Sequence, residues 1–583
     1  MKALAIHYGH NCTVGLSVNG KIVCLLSEER ISRIKNATGF PIQALDYVVN
    51  TFLNGDIDNA DNIAFIDGTG LAASYLLKNG IEPRRYLDYY WLNKKKKFFI
   101  GSLPIAIQHF GRWVKNTLSK VKTYFAVSDA RGLLLEKIQL KRAGVEFLDH
   151  HQCHAATAAY FPQFEDQKDW LVLTLDGEGD GLSSTVSTYS NEVFSVLSKN
   201  DRTVSLGYLF AETTAYLGMK PNEHEFKLMG MAPYADSAQV DRLVKELKLL
   251  LWVDGNGQFS SSVNAQNLLP QLMRIYAFER FDVISGAIQK VTEILICEWA
   301  AYWSNKTGIS SIAVSGGVFM NVKAVKQLAE CSFIYDLFVV PSASDESLPI
   351  GALAILNRSN KVKLQSISDL YLGQSFSDGY VEEMISREGL AKEFEITRFS
   401  SDDDAAEFVG DLLAKNEIVA RCAGAEEWGA RALGNRSILC NPSNFQNIEH
   451  LNSKIKCRDF WMPFTPSILS EHLHRYAVNP KGINATYMAI TFESTPLARE
   501  HLSAAVHPRD FTMRPQAVLK DWNPGYYKII ESFSKKTGIA GILNTSFNLH
   551  GEPNVSTPDD AIRTLRESGL DWLLINNTLF HKV

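Results

Sequence analysis

Short apolar runs and polar turns alternate from the first residues of the chain. Ala3–Ile6 reads as one strand and Thr13–Val18 as a second. Asn19–Gly20 has the composition of a hairpin turn, and Ile22–Leu26 reads as a third strand. Such spacing predicts an antiparallel meander, closed by the charged run Ser27–Lys35. A second strand–turn–strand unit follows at Trp170–Tyr189, around the glycine-rich bend LDGEGDG. Return of the same unit predicts a duplicated α/β fold with a nucleotide cleft between its halves.

Further on, SIAVSGGVFMN predicts a buried strand, a glycine turn and a helix start. FVVPSASDESLPIGALAIL predicts a strand, a polar loop and a small-residue helix. The pattern changes near residues 360–380, where LYLGQSFSDGYVEEMI reads as a linker entering a new strand and helix. The roughly 200 residues beyond it suffice for a second α/β domain. Two domains are therefore expected, 1–362 and 363–583, with no tandem repeat and no low-complexity tail.

Composition narrows the class. A chain of 583 residues needs two or more cores, and 46% hydrophobic with 21% charged residues is ordinary for a globular protein. The net charge of −5 gives no support to polyanion binding, so no nucleic-acid partner is expected. Eight scattered cysteines without a CxxC pair fit reduced thiols in a cytoplasmic enzyme. His7, His10 and Asn11 interrupt any signal-peptide core, and no run of about 18 apolar residues occurs. One stretch differs: Arg84 to Arg142 carries fourteen Lys or Arg against three acids, with ten aromatics interleaved. Such an insert suits either an anionic or membrane-attached acceptor, or plain packing on the main domain.

Two constellations carry chemistry. In Asp149-His150-His151-Gln152-Cys153-His154, His150 and His154 stand at i and i+4, on one face of a helix, where both can ligate one metal ion. His151 points elsewhere. Asp176 and Asp345 each follow a strand, and two carboxylates with two imidazoles make a four-ligand set for a divalent ion such as iron, zinc or manganese. Gly316 and Gly317 let backbone approach a nucleotide. His10, after a strand and a glycine, can accept a proton from a hydroxyl, since a free imidazole titrates near neutrality.

The second constellation is C-terminal. Arg431 and Arg436 lie in WGARALGNRS, Lys456 and Arg458 in KIKCRD, Arg514 in MRPQAV, and Asn544, Ser546 and Asn548 in NTSFN. Guanidinium groups and ammonium bind phosphate or carbamate oxygens, while Asn and Ser add neutral donors. An anion pocket is expected.

Taken together, GHNCTVGLSVNG with SEER, HHQCHAA, LTLDGEGDG, LGMKPNEHEFKLMGMAPY, SGGVFMN, SDESLPIGA, WGARALGNRS, KIKCRDFWMPFTPS and LNTSFNLHGEP resemble the O-carbamoyltransferases of the nodulation-factor and cephamycin type, over nearly the whole chain. The resemblance implies an N-terminal ASKHA-type domain (a duplicated actin-like ATPase fold) and a C-terminal YrdC-like α/β domain. It implies that carbamoyl phosphate and ATP, with Mg2+, yield carbamoyl-adenylate in the C-terminal domain. The carbamoyl group then passes to a hydroxyl of a small molecule or saccharide in the N-terminal domain, beside Fe2+ or another divalent ion. Carried across, His150, His154, Asp176 and Asp345 are the metal ligands and His10 adjoins the attacking hydroxyl. Arg431, Lys456 and Arg514 serve the anion pocket, and Gly316, Gly317 and Asn321 the nucleotide face. Two departures stand out: Ala430 where the family has Pro, and Met462 where it has an Arg. Loss of that charge leaves Arg458 as the neighbour able to replace it. A homodimer is compatible with this reading. Competing readings are a tRNA-modifying carbamoyladenylate enzyme and a non-catalytic nucleotide- and metal-binding regulator.

Overall fold

The computed structural model describes residues 1–86, 130–136, 140, 145–161, 169–456 and 458–582. Most of the basic insert at 84–142 lies outside the described residues.

The first meander forms as the alternation predicts: β1 (Lys2–His7), β2 (Thr13–Val18) and β3 (Lys21–Ser27) pair antiparallel in that order. Two parallel strands, β4 (Asn62–Ile66) and β5 (Val145–Leu148), extend the sheet on the far side of β1. The second unit repeats this plan. β6 (Trp170–Gly179), β7 (Leu182–Ser190) and β8 (Val193–Asp201) form the meander, and β9 (Ser311–Ser315) and β10 (Asp336–Val339) run parallel beside β6. Both sheets therefore share one strand order, with β1 and β6 at equivalent central places.

Two helices lie between these sheets. α1 (His150–Tyr160) packs on β6, β7 and β9, and α2 (Leu348–Ser359) on β1, β2 and β4. The two helices touch each other closely because Gly351 has no side chain: a Cβ there would stand 1.9 Å from the Cys153 carbonyl oxygen. A loss of van der Waals fit of that size cannot be absorbed by rotamer changes, since the obstacle is backbone.

Residues 361–377 form neither helix nor strand. The linker is packed against the first sheet, with Leu25 N donating to Leu372 O at 3.1 Å and Gln365 N to Gly20 O at 2.7 Å. The strand expected at its end is absent. A helix comes first, at Asp378–Glu388, because the Ser377 side chain caps it by accepting from Tyr380 N. The C-terminal half is built on an eight-stranded mixed sheet running from Phe394–Arg398 at one edge to Gln516–Val518 at the other. Its helices Asp402–Ala414 and Pro524–Thr537 pack on each other. The halves share apolar packing: Leu348, Ile350 and Leu353 of α2 lie in one cluster with Trp428, Leu433 and Tyr487. Among the described residues no helix is long and apolar enough to cross a membrane.

Candidate active site

α1 starts where Asp149 caps it, its side chain accepting from Gln152 N at 2.8 Å. Asp180, in the second meander, accepts from His150 N at 2.9 Å and from Gly68 N at 2.8 Å, tying the helix start to both repeats. This start puts His150 and His154 on the face toward β6. Pairing of β6 with β7 slips between Leu175 and Gly179, and Asp176 lies in the slipped stretch, turned into the cleft. Asp345 arrives from the other side on the short turn Asp345–Ser347 that leads into α2.

The four residues meet. His150 Nε2 is 3.2 Å from Asp176 Oδ2 and 3.6 Å from Asp345 Oδ1, while His154 Nε2 is 3.4 and 3.6 Å from the same atoms. One ligating atom from each lies within 4.8 Å of all the others. His154 Nδ1 is held by Ser315 Oγ at 3.1 Å, so Nε2 faces the carboxylates, and this buried Nε2 has no hydrogen-bond partner. Gly179 leaves room for the His150 ring, since a Cβ there would be 2.1 Å from its Cδ2. His151 turns away and hydrogen-bonds Thr174 Oγ1 at 2.8 Å.

The electrostatics of the group call for a cation. Burial and the adjacent Asp176 charge push Asp345 well up. Burial opposes ionisation of Asp176 too, but the hydrogen bond with His150 and the facing His154 imidazole outweigh it and hold that carboxyl well down. Burial would lower His150, yet the Asp345 charge and the Asp176 hydrogen bond raise it. A divalent ion removes the carboxylate repulsion and uses the orphaned Nε2, and the N2O2 donor set suits a borderline metal. These residues fit such an ion.

His10 is joined to this group through its carbonyl oxygen, 2.9 Å from His7 Nε2; its ring is 5.0 Å from Tyr86 and its Nδ1 3.5 Å from Thr38 Oγ1. Burial lowers its pKa to about 4, partly offset by Asp176 and Glu29. The imidazole is therefore neutral near pH 7, and a weaker base than a free histidine. His7 has no place among the residues expected from sequence. Its Nε2 lies 2.9 Å from the His10 carbonyl oxygen and 3.8 Å from Asp345 Oδ2, and burial with the nearby His150 lowers its pKa to about 3. The signal for it was the repeat: His7 ends β1 much as Asp176 stands near the end of β6. Gly316, with φ 107°, lets its turn close on Leu175, whose carbonyl oxygen would be 2.3 Å from a Cβ. Gly317 borders Asp176. Asn321 is committed elsewhere, capping the helix Val322–Glu330 and pairing with Gln289.

The C-terminal pocket collects cations. Lys456 is buried, and its Nζ donates to Asn548 Oδ1 at 2.7 Å, Ser546 Oγ at 3.1 Å and two main-chain carbonyls. Burial, then Arg458 and Lys35, depress its pKa strongly. Arg458 lies over the Phe464 ring at 5.0 Å and donates to Thr545 Oγ1 at 3.3 Å. Burial and Arg431 lower Arg458 to about 10; burial, Arg431 and Arg458 lower Arg514 further. Cations that repel one another in a partly buried place are stabilised by an anion between them. Lys35, from the N-terminal half, belongs to this group and the sequence reading missed it. The Arg33 guanidinium donates to the carbonyls of Asn554 (2.6 Å) and Pro553 (3.0 Å), fixing the turn that carries Lys35 against the loop after Asn548.

Two residues assigned to this pocket from sequence have other work. Arg436 is buried, and its donors go to carbonyls of Ser556, Ala423, Gly424, Asn435 and Gln374. It braces the fold and offers no free charge. The Asn544 amide donates to Ala432 O, Ser467 Oγ and Gln516 Oε1, which positions the Arg431 loop. Met462 packs beside Gly230 of the N-terminal half, its sulfur 3.2 Å from a Cβ built there.

The two sites are neighbours. Ala430 N donates to Ser342 Oγ at 3.0 Å, Arg30 Nη2 donates to Gly429 O at 2.8 Å, and Glu346 offsets part of the burial penalty on Arg431. Glu346 adjoins Asp345 and accepts from Asn11 Nδ2 at 3.2 Å.

Comparison with known proteins gives matches along nearly the whole chain. The family description "Carbamoyltransferase N-terminus" matches residues 2–355, and "Carbamoyltransferase C-terminus" matches residues 410–582. An uncharacterized protein of Methanocaldococcus jannaschii is 29% identical, covering 100% of this chain and 99% of its own. Nodulation protein NolNO of Sinorhizobium fredii is 27% identical over 98% of this chain and 79% of its own. Nodulation protein NolO of Bradyrhizobium diazoefficiens is 29% identical over 75% and 79%. Among solved structures, component A of (R)-2-hydroxyglutaryl-CoA dehydratase from Acidaminococcus fermentans aligns with a TM-score of 0.31 at 15% identity, covering 61% of this chain and 97% of its own. HypF of T. kodakarensis aligns with a TM-score of 0.33 at 11% identity, over 62% and 48%.

Proposed function

The chain belongs to the carbamoyltransferase family, and on that premise we propose that it is an ATP-dependent O-carbamoyltransferase whose two sites run successive half-reactions. In this reading residues 1–362 are an ASKHA-type transfer domain and 363–583 a YrdC-like adenylating domain. The repeated sheet order of the first half supports the former assignment.

In the C-terminal pocket, Lys456, Arg458, Arg431 and Arg514 bind the phosphates of carbamoyl phosphate and of ATP, which enters with Mg2+. Water hydrolyses carbamoyl phosphate to carbamate and inorganic phosphate; a carbamate oxygen then attacks the α-phosphorus, pyrophosphate leaves, and the cations neutralise the charge that builds. The mixed anhydride is protected from water until it reaches the cleft. There His150, His154, Asp176 and Asp345 would hold a divalent ion such as ferrous iron, which supplies Lewis-acid polarisation of a carbamoyl or phosphate oxygen. His10 accepts a hydrogen bond from the acceptor hydroxyl and takes its proton as the new C–O bond forms, while the bond from the carbamoyl carbon to the adenylate oxygen breaks and AMP leaves. At a pKa of about 4 it does so late, once the attacking oxygen has become acidic.

One observation carries the reading. The segment Gly429–Arg431, which brings a pocket cation, is hydrogen-bonded at Ala430 to Ser342, in the loop that leads from β10 into Asp345. That direct contact between the two sites supports passage of an intermediate from one to the other. The test is mass spectrometry of ATP, carbamoyl phosphate and iron-loaded protein without acceptor. Enzyme-bound carbamoyl-adenylate with pyrophosphate is the expected product. Its absence at full metal occupancy overturns the proposal.

A further inference from the structure

Glu346 is the middle residue of the turn Asp345–Ser347 that leads into α2, beside one of the four clustered metal-binding residues, and it is buried. Both of its carboxylate oxygens are engaged. Oε2 accepts from Asn11 Nδ2 at 3.2 Å, in the loop between β1 and β2 that also carries His10. Oε1 accepts from Ser342 Oγ. Ser342 in turn accepts from Ala430 N of the C-terminal half at 3.0 Å. Its single hydroxyl proton is committed to Glu346, which leaves its lone pairs for the Ala430 N–H.

The far end of this relay is held as firmly as the near one. Gly429, with φ 100°, lets its loop close on Ser342, since a Cβ there would stand 2.9 Å from Ser342 Cβ. The Gly429 carbonyl accepts from Arg30 Nη2 at 2.8 Å, and Arg30 is ion-paired at 3.3 Å with buried Glu426. A continuous chain of hydrogen bonds, Asn11–Glu346–Ser342–Ala430, therefore runs from the neighbour of His10 to the neighbour of Arg431. Glu346 stands at its centre and touches neither set of reacting groups.

Resting on the two-site reading above, we propose that Glu346 is a positioning residue for the hand-over: through Asn11 and Ser342 it holds the His10 loop and the Arg431 loop together, so that carbamoyl-adenylate passes between the sites without meeting water. When the relay is broken, water enters the seam. Its oxygen bonds to the carbamoyl carbon, the bond from that carbon to the adenylate oxygen breaks, and AMP and carbamate leave as the water gives its proton to solvent. The pocket is then free to consume another ATP.

The test follows pyrophosphate and AMP from ATP, Mg2+, carbamoyl phosphate and iron-loaded full-length protein, without acceptor. Wild type should release about one pyrophosphate per protein in a burst and then nearly stop, because the intermediate stays bound. In Ser342→Ala and Glu346→Ala a steady release of pyrophosphate and AMP should follow the burst, at least about fivefold faster than in wild type when divided by burst amplitude. Glu346→Gln keeps a carbonyl for Ser342 and meets Asn11 through its amide once the Asn11 amide turns over, so its leak should stay within about twofold of wild type. Dividing by the burst counts only protein that has folded and made the intermediate, so a folding defect lowers the burst without raising the ratio. An unchanged ratio in an alanine variant that keeps its burst overturns the proposal, as does loss of the burst in both. A leak in Glu346→Gln as fast as in Glu346→Ala overturns it as well. No burst from wild type at full metal occupancy refutes the two-site reading itself, which separates that failure from this one.

Discussion

At the residue scale, the cleft depends on side chains whose charge state is set by burial. His10 titrates at about 4, so it is neutral throughout the physiological range and gives no rate change there as pH moves. Replacing it with Asn keeps a polar group but removes the proton acceptor. His10→Asn should cut carbamoyl transfer by 100-fold or more while carbamoyl-adenylate formation stays within about twofold. Product mass spectrometry of the two half-reactions checks this, and an equal fall in both contradicts the assignment. The residue scale is also where sequence reading was weakest. Arg431, Arg436 and Lys456 look alike in a string as cations among Gly, Asn and Ser, yet five carbonyls occupy Arg436 and no carbonyl claims Arg431 among the described residues. What distinguishes them is the company at the end of the side chain, which for Arg436 arrives from residues up to 120 positions away.

At the element scale, two contacts decide whether the site is presented. Glu28 of the SEER run is buried and accepts from Ala44 N at 2.9 Å in the first turn of the helix Ile42–Phe52. Burial lifts its pKa to about 7 against backbone hydrogen bonds that lower it. A carboxyl raised on folding adds stability below its unfolded pKa and loses it as pH rises through the folded value. Wild type should therefore lose on the order of 3 kcal/mol relative to Glu28→Gln between pH of about 4.5 and 7, at about 1.4 kcal/mol per pKa unit. Denaturation of both proteins across that range reads the difference directly. The second contact is the approach of α1 to α2 at Gly351. Gly351→Ala drives a methyl into the Cys153 carbonyl and should cost about 1–3 kcal/mol. Because α1 carries His150 and His154, divalent-metal affinity should fall with it. Thermal melting and metal titration test the two effects separately, and unchanged affinity would show that the helices adjust elsewhere.

At the scale of the whole molecule, the question is how far the two sites act independently. Lys456→Ala removes a buried cation from the C-terminal pocket, and Asp345→Asn removes one of the four clustered residues. Lys456→Ala should abolish carbamoyl-adenylate formation and leave metal stoichiometry intact. Asp345→Asn should weaken metal binding by at least about tenfold and spare adenylate formation. Metal analysis and pyrophosphate release, measured on both variants, read the two sites apart. Coupled loss in both would mean that the seam through Gly429–Arg431 and Ser342–Glu346 transmits damage, which its direct hydrogen bonds make the informative exception.

The chain's own pattern determined the strands of the first meander, the first two of the second, the helix that follows Asp149, and the pairing of His150 with His154, because each of these rests on spacing of a few residues. It also carried the family resemblance, since that lies in the order of local motifs. Tertiary structure alone decided what distance along the chain conceals. It set the distances of Asp176 and Asp345 from the same two imidazoles, withdrew Arg436 and Asn321 into structural hydrogen bonds, and added Lys35 to a site where no local pattern pointed. The physical reason is common to all of them. A side chain's role follows from which partners satisfy it and how far water is excluded, and both are set by segments that meet only when the sheets and helices have packed.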